Sequence, residues 1–271
     1  MSYSIQFIGV GGAFATPAQY QSNLLITAES GKKLLIDCGS QAQHALLELG
    51  IHNGNVGSEI DGVFVTHLHS DHVGSLEWLA FCTYFNPSCK RPKMYGISSV
   101  ISDLWNKSLR GGLESIQSKK VTLTDYFDVR YVSKNSFFEW ENIIFEPIQV
   151  VHVVSCHSIV NSYGLMIKEK NSNYKVFFTS DTQFAPHQMV DFYKESNLIF
   201  HDCETSKIKS GVHAHYESLR TLDKTEKEKM WLYHYSPDHD YNPQNDGFAG
   251  FAQKFQTFTI NSDSYISKFY S

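Results

Sequence analysis

The sequence predicts one α/β domain spanning residues 1–271, and three observations support this fold class. The chain has 271 residues, 42% of them hydrophobic, which suffices for one large buried core. Short apolar runs that alternate like β-strands are interspersed with segments in which apolar residues recur at helical spacing. Several of the apolar runs end in histidine or aspartate, so the predicted strands deliver polar side chains at their carboxyl ends.

The first predicted elements are three strands and a short helix. Residues 4–10 alternate as the first strand, and residues 23–27 and 33–37 flank a turn as a β-hairpin. Residues 41–49 predict an amphipathic helix that stops at the next glycine. The glycines of residues 9–12 resemble part of a dinucleotide-binding fingerprint, but the third glycine and the following helix are missing. A tight turn is therefore favoured over a nucleotide-binding loop.

A histidine-rich cluster at residues 66–72, with the sequence THLHSDH, follows the next predicted strand. Apolar residues precede it, and residues 73–80 have helical spacing with Ser75 placed to cap the helix. Imidazole and carboxylate groups bind zinc and similar divalent metals, and four of them could not be buried here without partners. The cluster therefore predicts a metal site on a strand-to-helix turn rather than a polar surface loop. The four candidate ligands are His67, His69, Asp71 and His72.

The segments after this cluster include one that is rich in aromatic residues. Residues 81–87, at the end of the helix, contain three aromatic rings. Two interpretations stay open, either core packing at a helix end or a lip of the active site or subunit contact. Residues 93–96 predict a strand, residues 98–109 a helix ended by Arg-Gly-Gly, and residues 121–154 are rich in β-forming residues. The phenylalanine-rich stretch at residues 248–258 predicts a helix and a closing strand.

The sequence THLHSDH followed by Val73 and Gly74 resembles the signature of the metallo-β-lactamase fold. The resemblance is closest to the phosphodiesterase branch, which includes tRNA 3′-end nucleases of the RNase Z type. It implies a four-layer αββα architecture in which two mixed sheets are sandwiched between helices. It also implies a third histidine ligand, a bridging aspartate and a last histidine ligand, each at the end of a later strand. Asp37 matches the aspartate that supports the metal loop in this family without binding metal.

Three later residues match the remaining ligands that the resemblance implies. The third histidine is His152 or, as the alternative, His157, which would leave the shorter gap to the next strand that is usual in the family. Asp181 follows a buried strand and could bridge two cations, because its negative charge would offset their mutual repulsion. His234 follows another predicted strand and matches the last ligand.

A histidine-bearing segment at residues 211–219 precedes the last ligand. In RNase Z-type enzymes a histidine there acts with an acidic residue to protonate the leaving oxygen. The resemblance therefore implies this role for His213 or His215 together with Asp202, and His213 has the better spacing to the last ligand. The chain departs from the family at residues 201–204, where His-Asp-Cys-Glu replaces His-Glu-Ala-Thr.

The implied ligand set would hold two divalent metal ions, zinc or alternatively manganese. One ion would be bound by His67, His69 and His152, the other by Asp71, His72 and His234, and both by Asp181. We expect Asp71 to take part in catalysis as well as in metal binding. Two such ions lower the pKa of a water and stabilise the attacking and leaving oxygens of an in-line displacement at phosphorus. Phosphodiester hydrolysis is therefore the predicted reaction, ahead of the β-lactamase and thioesterase reactions of other branches.

The substrate is predicted to be small. Only 29 positions separate His152 from Asp181, which leaves no room for the arm with which RNase Z-type enzymes grip tRNA. The formal net charge of −5 and the pI near 6.2 also disfavour a long nucleic acid.

Over its whole length the chain resembles the phage anti-Pycsar proteins and their bacterial relatives. The resemblance rests on residues 9–14 (GVGGAF), 35–39 (LIDCG), 66–77 (THLHSDHVGSLE), 161–167 (NSYGLMI), 178–182 (FTSDT), 199–204 (IFHDCE), 211–216 (GVHAHY) and 231–235 (WLYHY). Proteins of this family hydrolyse 3′,5′-cyclic nucleotides, including cyclic CMP and cyclic UMP, and so silence an antiviral signal. The resemblance implies the same activity here.

Two alternatives to a cyclic-nucleotide phosphodiesterase stay open. One is another phosphodiesterase, either an RNase Z-type tRNA 3′ endonuclease or a hydrolase of a different small phosphodiester. The other is a non-catalytic sponge that binds cyclic nucleotide without cutting it, although a sponge would not need a complete ligand set.

The compartment is expected to be the cytoplasm, or the host cytoplasm if the protein is viral. The five cysteines form no CxxC pair, and the N-terminal residues lack a signal-peptide pattern. No apolar run approaches the ~20 residues of a membrane span.

We predict a homodimer in which the aromatic segment reaches the neighbouring subunit or its pocket. The metals can grip only the phosphate of a cyclic nucleotide, so aromatic side chains must cover the base, and Tyr84, Phe85 and Tyr95 are the candidates. RNase Z-type enzymes commonly act as dimers as well. Size-exclusion chromatography with light scattering tests this prediction. A mass equal to the 30.9 kDa of one chain at micromolar concentration would rule the dimer out.

Overall fold

Two β-sheets flanked by helices make up the computed structural model, which describes residues 2–156 and 159–269. The strands are β1 (Tyr3–Gly9), β2 (Asn23–Thr27), β3 (Lys33–Ile36), β4 (Ile60–Phe64), β5 (Lys93–Ile97), β6 (Ser115–Ile116), β7 (Lys119–Lys120), β8 (Asp128–Val132), β9 (Phe138–Trp140), β10 (Ile143–Val154), β11 (Ile159–Glu169), β12 (Val176–Phe178), β13 (Leu198–Asp202), β14 (Met230–Tyr233), β15 (Gly250–Phe251), β16 (Thr257–Ile260) and β17 (Tyr265–Lys268). The α-helices are α1 (Ala42–Glu48), α2 (Val56–Glu59), α3 (Ser70–Val73), α4 (Leu76–Tyr84), α5 (Ser98–Asp103), α6 (Arg110–Leu113), α7 (Leu123–Tyr126), α8 (Pro186–Glu195), α9 (Tyr216–Leu219) and α10 (Lys224–Lys227), with a π-helical turn at Leu104–Leu109 between α5 and α6.

Each sheet combines an antiparallel half with a parallel half. The eight-stranded sheet has the order β17-β16-β1-β2-β3-β4-β5-β8, and its strands from β3 to β8 run parallel. The seven-stranded sheet has the order β15-β14-β13-β12-β11-β10-β9, and its strands from β15 to β12 run parallel. The short strands β6 and β7 form a separate hairpin. Because parallel strands end at the same edge of a sheet, the residues that follow β3 and β4, and those that follow β12, β13 and β14, are gathered together.

The two sheets pack face to face around an aromatic core. Phe7 of β1 contacts Phe200 of β13 and Tyr233 of β14, with ring centroids 5.0 and 5.6 Å apart. A second apolar cluster, which includes Met189 of α8 and Tyr216 of α9, covers the other face of the seven-stranded sheet. Helices α1 and α5 contact β1 and β5 of the eight-stranded sheet. The predicted four-layer αββα architecture is therefore confirmed.

The predicted end of one helix is wrong, and one predicted helix does not form. The helix predicted to end at Arg110 continues through the π-helical turn and α6, because Leu109 and Leu113 are both buried and hold this segment against the core. The segment predicted as a C-terminal helix instead forms β15 and leads into the β16–β17 hairpin. Phe255 has a φ of 64°, which a right-handed helix excludes, and Phe258 is fully buried on the inner face of β16.

Ser75 precedes α4 as predicted, but its side chain makes no cap hydrogen bond, and its backbone N–H donates to the carbonyl oxygen of Cys38.

All five cysteines are free. In residues 2–156 and 159–269, no helix has the length and apolar character needed to cross a membrane.

Candidate metal centre and active site

The candidate metal ligands meet where the parallel strands of the two sheets end. The segment after β4 supplies four of them: His67, His69, Asp71 and His72. The seven-stranded sheet supplies the other three: His152 on β10, Asp181 after β12 and His234 directly after β14. The structure therefore brings together all seven ligands that the sequence predicted, from distant parts of the chain and from both sheets.

The first ligand group contains three histidines and Asp181. The Nδ1 atom of His69 lies 3.2 Å from Nε2 of His67 and 3.1 Å from Nε2 of His152. The Oδ2 atom of Asp181 lies 3.8 Å from both of these Nε2 atoms. Two ligand atoms about 2.1 Å from one tetrahedral ion would be about 3.4 Å apart. The spacing therefore matches the first coordination shell of a metal ion.

The second group shares Asp181 with the first. Its Oδ2 atom lies 3.2 Å from Nε2 of His72 and 3.4 Å from Nε2 of His234. The Oδ2 atom of Asp71 lies 3.5 Å from each of these two nitrogens. In both groups the ligand atoms all lie within 4.8 Å of one another, so one carboxylate oxygen stands between two clusters of metal-binding atoms.

Two buried polar atoms of this cluster lack a hydrogen-bond partner among the described residues, namely Oδ1 of Asp181 and Nε2 of His234. Leaving a buried polar atom unpaired costs about 1–3 kcal/mol. A cation bound among these residues would pair with the Asp181 carboxylate and with Nε2 of His234, which lies 3.4 Å from Oδ2 of that carboxylate. The residues present therefore fit divalent metal binding.

The protonation states of His67, His69, His152 and Asp181 are those that a metal site needs. Burial lowers the pKa of His67, His69 and His152, so each keeps a neutral ring with a nitrogen lone pair at neutral pH. Burial alone would raise the pKa of Asp181, but the charges of His234 and His72 hold it well below its usual range. Neutral imidazole and ionised carboxylate are the metal-binding forms of these side chains. Burial alone would lower the pKa of His72 and His234, but the carboxylates of Asp181 and Asp71 raise it, so a cation would displace a proton from each of these two rings.

Asp37 orients His72. Its Oδ2 atom accepts hydrogen bonds from Nδ1 of His72 at 2.7 Å and from the hydroxyl of Thr66 at 2.7 Å, and its Oδ1 atom accepts one from the Thr66 backbone N–H. Because Asp37 holds Nδ1 of His72, Nε2 is the ring nitrogen that faces the ligand cluster. This contact agrees with the supporting role predicted for Asp37.

His152 lies at a β-bulge rather than after its strand. The pairing of β10 with β11 shifts register between Val151 and Val153, which leaves His152 without a partner residue on β11. Its Nδ1 atom donates a hydrogen bond to the carbonyl oxygen of Val212 at 2.8 Å, so Nε2 faces the cluster. The alternative ligand, His157, lies outside the described residues. The structure places His152 in the first ligand group, with its Nε2 atom 3.1 Å from Nδ1 of His69, and its role as the third histidine ligand stays a prediction.

Three strand ends at the site have unusual backbone conformations. Asp37 after β3, Ser180 after β12 and His234 after β14 have φ angles of 66°, 54° and 66°. Non-glycine residues rarely adopt positive φ, and each such residue costs about 1–3 kcal/mol. The surrounding contacts must therefore hold these turns in place.

His213 and Asp202 form a pair beside the second ligand group. Nδ1 of His213 donates a hydrogen bond to Oδ2 of Asp202 at 2.8 Å, and the His213 ring stacks on the ring of His234 at 4.5 Å. The same Asp202 oxygen accepts a hydrogen bond from the Thr182 backbone N–H. Burial alone would lower the pKa of His213, but the charge and hydrogen bond of Asp202 raise it to about 9. His213 is therefore protonated at neutral pH.

His215, the other candidate proton donor, has a different environment. It occupies the N-cap position of α9, where Nδ1 accepts a hydrogen bond from the Glu217 backbone N–H. Its Nε2 atom donates to the carbonyl oxygen of Ser206 at 3.0 Å. Both ring nitrogens therefore serve the local fold, and the geometry favours His213 over His215 as the residue that faces the ligand cluster.

One contact that fixes the segment at residues 66–72 was not predicted from the sequence. Asn23 donates from Nδ2 to the carbonyl oxygen of Asp71 at 3.1 Å and accepts at Oδ1 from the Gly39 backbone N–H at 2.6 Å. Gly39 lies so close to Asp71 that a Cβ atom there would overlap the Asp71 carbonyl. The available signal was a polar Asn23 directly before three apolar residues of the same strand.

The three aromatic residues predicted to contact a base have other surroundings within one chain. Tyr95 is buried and stacks on Phe138 with ring centroids 4.4 Å apart. Tyr84 packs against Tyr126 at 4.9 Å, and Phe85 is exposed at the end of α4. A role for these rings at the pocket of a second subunit stays a prediction.

A cavity of about 430 Å³ opens beside the ligand cluster. His213 and His234 line it, together with residues 12–16, the segment that begins at Glu204 and the turn at residues 235–237. Small-molecule sites typically measure about 300–1,000 Å³. The cavity is therefore large enough for a small ligand that also touches the ligand cluster.

Sequence relatives match nearly the whole chain. The family described as "Anti-Pycsar protein Apyc1" matches residues 3–258. A protein of this description from Paenibacillus xerothermodurans is 34% identical over 264 residues, which cover 96% of this chain and 98% of the relative. Another from Bacillus phage vB_BveM-Goe7 is 31% identical over 240 residues, which cover 85% of this chain and 88% of the relative.

Solved structures of lower sequence identity share the fold. The metallo-β-lactamase fold protein YhfI from Bacillus subtilis has a TM-score of 0.71 at 17% identity, covering 96% of this chain and 99% of YhfI. The short form of human tRNase Z has a TM-score of 0.66 at 19% identity, covering 96% of this chain and 100% of that chain. These similarities confirm the metallo-β-lactamase fold predicted from the THLHSDH sequence.

The close packing of Gly39 against Asp71 generates a prediction about the metal loop. Gly39→Ala should displace the Asp71 backbone and weaken metal binding by roughly 10- to 100-fold, as loss of other supporting contacts does. Metal content after dialysis against a metal buffer, measured by mass spectrometry, tests this. Gly111→Ala is the matched control, because a Cβ atom there meets nothing within 4 Å. Equal metal content in both variants would contradict the prediction.

Proposed function

The chain belongs to the anti-Pycsar protein Apyc1 family, and on this basis we propose that it hydrolyses 3′,5′-cyclic nucleotides such as cyclic CMP and cyclic UMP to nucleoside monophosphates. One observation carries most of the support: Oδ2 of Asp181 lies within 3.8 Å of ring nitrogens from both ligand groups. A carboxylate oxygen shared in this way suits a pair of cations, which is the arrangement used for displacement at phosphorus.

The proposed cofactor is a pair of divalent ions. His67, His69 and His152 would hold one, Asp71, His72 and His234 the other, and Asp181 both. Zinc fits a set of histidine nitrogens and carboxylate oxygens, and manganese is the alternative. When bound, the two ions would supply a water of lowered pKa and would offset the negative charge of the phosphate.

His213 is the proposed proton donor, and Asp202 is the residue that positions it. Asp202 engages Nδ1 of His213, which directs Nε2 away from the carboxylate. The pKa of about 9 supplies a proton at neutral pH. In the reaction a water oxygen bonds to phosphorus and that water loses one proton to the solvent, one P–O bond of the cyclic phosphate breaks, and the released sugar oxygen takes a proton from His213. The product is a nucleoside monophosphate.

The course of the chain between His152 and Asp181 supports a small substrate rather than tRNA. β10 and β11 pair as far as Val154 and Ile159, and β11 then leads through the short strand β12 to Asp181. The described residues between His152 and Asp181 are therefore taken up by the sheet, without an inserted arm. The net charge of −5 likewise gives no general attraction for a long polyanion.

The same proposal includes the biological setting and the assembly. In the cytoplasm, hydrolysis of a cyclic nucleotide would remove an antiviral messenger. A homodimer would bring the segment that carries Tyr84 and Phe85 towards the pocket of the other subunit, with the exposed Phe85 ring as the contact, whereas Tyr95 is buried against Phe138 within its own chain. The support for these two parts is the family membership and the exposed Phe85 ring.

Purified protein incubated with cyclic CMP should release CMP, which ion-exchange chromatography resolves from the substrate. Chelation with EDTA should abolish the activity, and added zinc or manganese should restore it, because the ligand cluster alone activates no water. Binding of cyclic CMP without product would favour the sponge. A kcat/KM for precursor tRNA above that for cyclic CMP would favour the tRNA endonuclease, and either result would overturn the proposal.

His213→Ala should lower kcat for cyclic CMP by roughly 10²–10⁴-fold, the usual contribution of a positioned acid, while metal content stays unchanged. The same variant should lose far less activity on bis-p-nitrophenyl phosphate, because p-nitrophenolate leaves without a proton. The control is His187→Ala, which changes an exposed histidine of α8. Loss of metal from the His213 variant, or equal losses on both substrates, would show that His213 is not the proton donor.

A further inference from the structure

We propose that Phe14 stacks on the base of the cyclic nucleotide, at the cavity of about 430 Å³ that opens on His213 and His234. This inference rests on the proposed function and extends it, because it places the base against the same chain that supplies the metal ligands. Phe14 lies on the β1–β2 loop, defined as residues 10–22, whose glycine run predicted only a tight turn.

The exposure of Phe14 is the first observation behind the proposal. Its side chain is 100% exposed, the highest value among the large hydrophobic side chains of residues 2–156 and 159–269. A phenylalanine ring wholly in water forgoes the stabilisation that burial would bring. At the mouth of a cavity that leads to the ligand cluster, such a ring is suited to stack on a planar ligand.

The backbone around Phe14 is held in place. The carbonyl oxygen of Ala13 accepts a hydrogen bond from Nε2 of Gln21 at 3.1 Å, and that of Ala15 accepts one from Nε2 of Gln41 at 2.8 Å. The Ala15 N–H also donates to the carbonyl oxygen of Gly12 at 2.9 Å. The exposed ring therefore projects from a fixed turn, which reduces the conformational entropy lost when a ligand binds.

Gly12 ties this loop to the ligand cluster. A Cβ atom at Gly12 would lie 3.0 Å from Cε1 of His234, so the loop backbone passes directly over the ring of the last predicted metal ligand. Phe14 is two residues further along the chain. A nucleotide whose phosphate contacts the cluster near His234 would therefore extend its base along the β1–β2 loop.

The opposite wall of the cavity is also braced. The Glu204 carboxylate accepts hydrogen bonds from the Ser206 hydroxyl at 2.7 Å and from the Ser210 backbone N–H at 3.0 Å. The Thr205 hydroxyl donates to the carbonyl oxygen of Ser236 at 2.9 Å, and the Ser236 N–H donates back to that hydroxyl. Hydrogen bonds within the chain therefore brace both the β1–β2 loop and the segments at residues 204–210 and 235–237 that line the cavity.

Stacking on Phe14 predicts how the enzyme treats different bases. Every base has a planar face, so an aromatic platform binds bases with little regard to their identity. Cyclic CMP, cyclic UMP and cyclic AMP should therefore all depend on Phe14. The 3′,5′-cyclic phosphate of 1-deoxyribose should not, because it keeps the cyclic phosphodiester but carries no planar ring to stack on Phe14.

The test compares Phe14→Ala with wild-type protein on cyclic CMP and on the 3′,5′-cyclic phosphate of 1-deoxyribose, which lacks a base. KM for cyclic CMP should rise by roughly 5- to 150-fold, the range that corresponds to one base–aromatic stack. The kcat/KM for the substrate without a base should stay unchanged. Phe14→Trp, which keeps a stacking ring, should restore KM for cyclic CMP.

Two control variants make the result specific to Phe14. Phe137→Ala removes a ring that is 59% exposed and lines a different cavity, and it should leave both substrates unaffected. Phe85→Ala tests the alternative in which the base is covered by the aromatic segment after α4. An equal effect of Phe14→Ala on both substrates, or a rise in KM only with Phe85→Ala, would overturn the assignment of the base to Phe14.

Different results would overturn the proposed substrate and the proposed base site. Wild-type protein that hydrolyses bis-p-nitrophenyl phosphate but no cyclic nucleotide would overturn the proposed substrate, and the base site with it. Wild-type protein that hydrolyses cyclic CMP with unchanged kinetics in Phe14→Ala would overturn the base site alone.

Discussion

The structure depends on one buried carboxylate, Asp181, and on the histidines that surround it. Desolvation opposes a charge at this position, and the neighbouring His72 and His234 overcome that opposition. His72 follows a strand of the eight-stranded sheet, whereas His234 follows a strand of the seven-stranded sheet. The contacts of Asp181 therefore hold the two sheets in register at the edge where the site lies. Fold and site share one electrostatic network.

A second layer of contacts fixes the direction of each ring. Asp37 binds the outer nitrogen of His72, the carbonyl oxygen of Val212 binds that of His152, and Asp202 binds that of His213. Each partner leaves the inner nitrogen directed at the cluster. These partners come from three separate connections, after β3, before α9 and at the end of β13. The site is consequently rigid although every residue in it lies at or near a loop.

How much could be predicted from the sequence depended on how local each feature was. The THLHSDH cluster carries four candidate ligands within seven residues, so its chemistry was visible without any tertiary information. The register shift in β10 beside His152, and the backbone groups that engage both ring nitrogens of His215, are features of the folded chain that the sequence does not reveal. The false C-terminal helix followed from apolar spacing alone, since the positive φ of Phe255 depends on tertiary contacts. The cavity beside Phe14 depends on segments that are about 200 residues apart, which no local pattern reveals.

The positive φ angles at Asp37, Ser180 and His234 have a consequence for the lifetime of the protein in the cell. Each turn opposes folding by about 1–3 kcal/mol. Ions that bind only the folded chain would add their binding free energy to its stability and so counter this opposition. A chain synthesised in a metal-starved cell would then unfold more often and be degraded sooner by proteases. The abundance of the protein, and not only its turnover rate, would follow the supply of the metal.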